Sequence, residues 1–201
     1  MAENDDLEQQ RKKQILDAAE RVFAERGFDK ARMDDIVQES GLSKGALYWY
    51  YKSKDAIIRA LLDRVFISEM QGADELVEAE GSASERLGLF TQFVVHEYRR
   101  FETLLPLAYE FIALAYRSKA VRETLVGYYE HYANLIARVV KQGIDRGEFK
   151  PCDPQATALS LIGMYEGIAL LWFLDPKKID WDRMGDQPLE LFLAGLRVEE
   201  G

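Results

Sequence analysis

"SGLSKGALYWYYKSK", residues 40–54, breaks one short helical pattern and starts another. Gly41 stops the first segment, and Ser43 stands where a hydroxyl caps the next helix, Lys44 to Tyr50. Four aromatics in a row, Tyr48 to Tyr51, cannot all enter one core from one helix. With Leu42 and Leu47 facing inward, Lys44, Gly45, Ala46, Tyr48, Trp49 and Tyr50 face out. Small residues at the helix start let it approach a surface closely. Its free N–H groups offer partial positive charge to an anion. Tyrosine hydroxyls reach phosphate oxygens, and aromatic edges meet thymine methyls and sugars. Two short helices joined by a tight turn, the second exposing such residues, are what major-groove reading requires.

Upstream, apolar Ile15, Ala18, Ala19, Val22 and Phe23 recur at helical spacing from Arg11 to Arg26, and Gly27 is placed to end that helix. Asp34 to Ser40 forms the second helix, with Ile36 and Val37 inward. Downstream, Ser53 can cap a long helix running through Ile57, Ile58, Leu61 and Leu62 towards Glu75, roughly 30 Å at 1.5 Å per residue. After a polar break at 78–84, helices are expected over 84–101, 104–117, 119–145, 154–174 and 188–197. Pro154 and Pro188 suit first helical turns. No stretch alternates cleanly as a strand would. The expected fold is all-α: three short N-terminal helices, then a larger helical bundle.

The net charge is −9, which taken alone disfavours a nucleic-acid binder. The distribution reverses that reading. Residues 11–54 hold ten Lys and Arg against seven Asp and Glu, while the remainder is strongly acidic. Contacts within a screening length of about 8 Å decide binding to a polyanion, so a basic module on an acidic body suffices. The single cysteine, Cys152, excludes an intrachain disulfide and suits a reducing compartment. "MAENDDLEQQRKK" lacks an apolar signal region, and a cytoplasmic location is expected. The most apolar window, 158–174, carries Glu166 and is read as a buried helix rather than a membrane span.

Residues 11–58 resemble the N-terminal domain of the TetR family of transcriptional regulators. The resemblance rests on "RKKQILDAAERVFAERGF" (11–28) and "MDDIVQESGLSKGALYWYYKSKDAI" (33–57). It implies that Lys44, Gly45, Tyr48, Trp49, Tyr50 and Lys54 contact DNA, beside Ser43 and Ala46, and that Leu47 and Tyr51 are core. It further implies a homodimer on a double-stranded DNA operator, with reading helices about 34–36 Å apart. It divides the chain into a DNA-binding domain at 1–53 and a ligand-binding and dimerisation domain at 54–201. The family usually carries Thr or Ser where Ala31 and Arg32 stand here. Arg32 is then the expected phosphate contact.

The C-terminal part resembles the family weakly, chiefly at "DRGEFKPCDPQATA" (145–158). Ser160, Gly163 and Gly167 lie along one side of 154–174, where small residues let another helix approach. Together with Leu161, Met164, Ile168, Leu171, Trp172, Leu189, Phe192, Leu193 and Leu196 they are assigned to a dimer interface or the core beneath it. Glu110 and Glu166 interrupt strongly apolar helices. A buried carboxylate needs a partner or a ligand. Tyr109, Phe111, Tyr128, Tyr132, Tyr165 and Trp172 complete an expected aromatic pocket for a small organic ligand, aromatic or cationic. The same acids can instead bond a Tyr, Arg or backbone group inside the fold. His96 and His131 lack metal-site spacing. No nucleophile elbow, P-loop or dinucleotide fingerprint is present, so neither an enzyme nor a cofactor is expected. The alternatives to control by a ligand are control by a protein partner and a helical-bundle enzyme with an accessory DNA-binding head.

Overall fold

The computed structural model describes residues 2–77, 79–100, 102 and 105–198. Nine α-helices are found among them: α1 (Ala2–Lys30), α2 (Met33–Ser40), α3 (Lys44–Tyr50), α4 (Lys54–Val77), α5 (Ala83–Arg100), α6 (Leu105–Ala115), α7 (Lys119–Asp145), α8 (Pro154–Leu174) and α9 (Gln187–Leu196). A 3-10 turn spans Trp181–Arg183. No strand occurs among the described residues; one isolated bridge pairs Phe149 with Arg197. The all-α expectation holds, with most boundaries shifted by one or two residues. The exception is α1, which begins nine residues earlier than its apolar face. Glu3, Asp5, Asp6 and Glu8 precede that face, and acidic residues favour the positive end of a helix.

The chain divides into two compact units. The first comprises Met1–Phe66 and Thr103–Val126. Its core is the predicted face of α1, with Ile15, Ala18, Ala19, Val22 and Phe23 all at most 4% exposed, against Ile36, Leu47, Ile57, Ile58, Leu61 and Leu62. Each large side chain so buried contributes about 1.5–3 kcal/mol. Gly27 interrupts α1 with φ 71° and ψ 164°, a backbone conformation that side chains other than hydrogen resist. The chain turns there so that Phe28 packs at a tilt against Phe23 and against Phe111 of α6, each at 4.7 Å between ring centres. Arg64 of α4 pairs with both Asp17 and Glu20 of α1.

The second unit comprises Ile67–Glu102 and Gly127–Gly201. Leu87 and Phe90 of α5, Leu135, Ile136, Val139 and Val140 of α7, Leu161 and Tyr165 of α8, and Leu189 and Leu193 of α9 form its core with Phe149. Asp153 caps α8, its Oδ1 accepting from the N–H groups of Gln155 and Ala156 at 2.9 and 3.3 Å. By length and composition α8 could cross a membrane, yet one side of it packs into this core. Ala158, Leu161, Tyr165, Ala169 and Trp172 are buried; Leu159, Leu170, Leu171 and Leu174, on the other side, are 42–67% exposed. The residues assigned from sequence to interface or core therefore separate. Leu161, Trp172, Leu189 and Leu193 are core, Met164, Ile168, Phe192 and Leu196 are half-buried, and Ser160, Gly163, Gly167 and Leu171 are exposed.

Candidate functional site

The turn at Gly41 closes α2 in the left-handed conformation, φ 68°, with its N–H on Gln38 O. Ser43 then caps α3, its Oγ accepting from the Ala46 N–H at 3.1 Å. Leu47 is fully buried and fixes the roll of α3 on the first unit. The opposite face is presented outward. Ser43, Lys44 and Gly45 are exposed, Ala46, Tyr48 and Tyr50 half-buried, and Trp49 is 75% exposed. Among the described residues no atom lies within 4 Å of where a Gly45 side chain would begin, so none of them demands glycine there. Tyr51 is turned inward and buried, and burial raises its pKa.

The charged groups around α3 are partly engaged. Lys44 pairs with Asp34 Oδ1 at 2.8 Å, which raises the lysine's pKa. Lys52 donates to Tyr48 O at 2.7 Å and lies 5.8 Å over the Trp49 ring. Arg32 is exposed at the start of α2 and lines a surface cleft with Glu25, Arg26, Lys30 and Asp35. The cap that a hydroxyl at position 31 or 32 would give is supplied from inside the helix. Asp35 Oδ2 accepts from the Arg32 N–H at 2.8 Å, and its Oδ1 takes Arg26 at 2.6 Å. Lys54 is placed differently from the sequence reading. Its ammonium turns back to donate to the carbonyls of Phe28 and Ala31, tying the end of α1 to the start of α4.

Residues of the expected aromatic pocket fall in both units. Tyr109, Glu110 and Phe111 belong to the first. Glu110 is exposed rather than buried, and its Oε2 accepts from the Phe28 N–H at 3.0 Å, just beyond the Gly27 break. Phe111 is 3% exposed and is spent on packing against Phe28. Tyr109 is half-buried on the same helix. The reading of Glu110 as a buried pocket acid is therefore corrected. Helix α6 packs on α1 with one side only, so an apolar sequence does not bury it all round.

Tyr128, Tyr132, Tyr165, Glu166 and Trp172 lie in the second unit. Glu166 is half-buried, and its Oε1 accepts the hydroxyls of Tyr98 (2.9 Å, α5) and Tyr129 (3.3 Å, α7). Burial raises the carboxylate's pKa, and the two phenols oppose that rise. Tyr165 donates to Gly185 O at 2.7 Å, and burial lifts its pKa to about 12. Trp172 stacks on Trp181 at 4.8 Å, and Arg99 lies 5.3 Å over the Trp172 ring. Trp181 is fixed by donating Nε1–H to Val95 O at 2.8 Å, and its ring meets Tyr98 at 5.4 Å. Tyr132 meets Phe90 edge-on at 6.0 Å, and Tyr128 is buried. Tyr98, Arg99 and Trp181 have no signal in the sequence, because they join this cluster from far along the chain.

The comparisons with known proteins cover both units. The family described as bacterial regulatory proteins, tetR family, matches residues 15–61. The family described as BetI-type transcriptional repressor, C-terminal, matches residues 83–190. YfiR of Bacillus subtilis (strain 168), described as an uncharacterized HTH-type transcriptional regulator, is 30% identical over 193 residues, 94% of each chain. In fold, the chain is similar to SmeT of Stenotrophomonas maltophilia in a complex with triclosan, at TM-score 0.80 and 22% identity over 94% of this chain and 92% of that one. It is likewise similar to FadR of Bacillus subtilis in complex with stearoyl-CoA, at TM-score 0.80 and 23% identity over 90% and 97%.

Proposed function

This chain belongs to the TetR family of bacterial regulatory proteins, and on that premise we propose that it is a homodimeric transcriptional repressor, released from a palindromic operator by a small organic ligand. The observation that carries the reading is α3. Buried Leu47 locks the helix to the first unit while Trp49 stands 75% exposed beside open Gly45. An indole is seldom left so bare without a partner to cover it. In this reading Ser43, Lys44, Gly45, Ala46, Tyr48, Trp49 and Tyr50 meet the major groove, and Arg32 meets the phosphate backbone. Lys44 exchanges Asp34 for a phosphate. Lys54 holds α1 and α4 in place for the same docking.

The homodimer is supported by α8 and α9. Leu159, Leu170, Leu171 and Leu174 leave an apolar side of α8 uncovered, and Leu191 of α9 is 80% exposed. Among the described residues no atom lies within 4 Å of where a side chain at Gly163 or Gly167 would begin, leaving room for another helix. The ligand reading is supported by the solved complexes of SmeT with triclosan and FadR with stearoyl-CoA. A ligand releases DNA only through its differential affinity for two conformations. Such a regulator works in the bacterial cytoplasm beside the chromosome. Selection of bound duplexes from a random pool by the purified protein tests the proposal. The expected result is a two-fold symmetric motif with half-sites about one turn apart. Enrichment of an asymmetric motif, or of none, overturns it.

A further inference from the structure

We propose that Glu166, held by Tyr98 and Tyr129, is the polar anchor of an effector site in the second unit and selects an apolar organic cation. The proposal rests on the reading of the chain as a ligand-released regulator and names the chemistry of that ligand. A phenol has one hydroxyl hydrogen, and those of Tyr98 and Tyr129 are both directed at Glu166 Oε1, at 2.9 and 3.3 Å. Both donors are thereby spent, and Oε2 takes no hydrogen bond among the described residues. What the trio offers a visitor is a carboxylate oxygen, Oε2, that accepts from no donor among the described residues. A ligand that brings an acceptor or an anion finds nothing to bind there and meets repulsion. A ligand that brings N–H donors and positive charge finds its complement.

Among the described residues no Lys, Arg or His pairs with Glu166. The guanidinium of Arg99, which lies over Trp172, is taken up by Asp182 at 2.9 Å and Glu102 at 3.6 Å. Three helices, α5, α7 and α8, converge to hold this one carboxylate. A fold-serving acid needs no such orientation when a neutral residue would fill the place. The surroundings suit the apolar part of the ligand. Tyr98 rests on Trp181, Trp181 on Trp172, and Arg99 already sits over the Trp172 face, so this cluster accepts positive charge against an indole. Burial penalises the bare carboxylate, and a bound cation relieves the penalty.

The probes are 4-phenylbutylamine, 4-phenylbutanol and 4-phenylbutanoate, which share a body and differ at one end. Titration calorimetry is run on the full-length protein and on Glu166→Gln and Tyr129→Phe. The wild type is expected to bind the amine at least about tenfold more tightly than the alcohol, the worth of one hydrogen bond to a charged group. The carboxylate is expected not to bind. Glu166→Gln abolishes the amine preference while leaving alcohol binding in place and without lowering the melting temperature; Tyr129→Phe reduces the preference. Equal binding of amine and alcohol, tighter binding of the acid, no binding of the amine at millimolar concentration, or a preference that survives Glu166→Gln each overturns the assignment. Operator affinity of the ligand-free protein is measured alongside. Amine binding that leaves the operator complex intact refutes ligand release but keeps the site, whereas operator binding with no amine preference does the reverse.

Discussion

Replacing Lys54 by Met separates two roles that one lysine could play. The thioether keeps the length and apolar stem of the side chain and removes only the ammonium. The structure shows that ammonium donating to the carbonyls of Phe28 and Ala31, so the variant loses two charge-assisted hydrogen bonds at the end of α1. Hydrogen bonds from charged groups are each worth about 1.5–3 kcal/mol, and the released carbonyls of this half-buried site regain water. A net loss of about 2 kcal/mol follows. For a chain of this size that lowers the melting temperature by about 4–8 °C. A lysine that neutralises a phosphate leaves a different signature: its removal lowers the slope of log affinity against log salt by about 0.9. Calorimetric melts and operator titrations over a range of salt therefore discriminate. We expect Lys54→Met to melt early and to change the salt slope by a small part of that amount. Lys44→Ala, whose ion pair with Asp34 is fully exposed, should do the opposite. A Lys54→Met protein that melts normally while its salt slope falls by the full amount would refute the placement of Lys54 as an internal tie.

Gly143→Ala should lower the melting temperature through overpacking of about 1–3 kcal/mol, because the new Cβ would lie 2.8 Å from Ala83 Cβ and closer still to the buried Phe149 ring; an unchanged melt would show that Phe149 is not so placed. Gly163 is exposed and a Cβ there meets no described residue within 4 Å, so Gly163→Leu should leave the protomer intact and weaken self-association in sedimentation by a similar energy; an undisturbed dimer would remove this part of α8 from the interface. Glu166→Gln should raise the melting temperature at neutral pH. A carboxylate whose folded pKa lies above 4.5 is favourable in its protonated form and loses that advantage as pH rises through the folded value, so the variant's gain should shrink below pH 4.5. A variant less stable than the wild type at neutral pH would mean that the tyrosine bonds outweigh burial.

The parts of the fold that are legible in the sequence are those written in a local period. Ile15, Ala18, Ala19, Val22 and Phe23 lie on one side of a helix whatever else the chain does. Ser43 and Asp153 cap helices through atoms only three residues away or fewer. Leu47 must turn inward once Gly41 and Ser43 frame the turn. What is not legible is partner choice across the chain. An apolar α6 suggests a buried Glu110, but burial is decided by what packs on each side, and α6 has its partner in α1. Lys54 takes its expected role from its place in a motif, and the motif cannot say which way a four-carbon stem folds. Tyr98 and Tyr129 find Glu166 over separations of 68 and 37 residues, where no spacing rule operates.

The cap on α2 has an evolutionary corollary. Where a hydroxyl both caps a helix and grips a phosphate, one residue carries two traits, and drift in operator affinity is tied to loss of stability. Here Asp35 closes the helix from within through a backbone N–H, which position 32 presents whatever its side chain. The Arg32 side chain is thereby released from structural duty and is exposed. If Arg32 meets the phosphate backbone as proposed, exchange of arginine for lysine, serine or glutamate at that position should change the grip on DNA over a wide range while the scaffold stays folded. Lineages carrying this arrangement can retune how tightly they hold their promoters by single, nearly neutral steps, and duplicated copies can part company in regulation before they differ in fold.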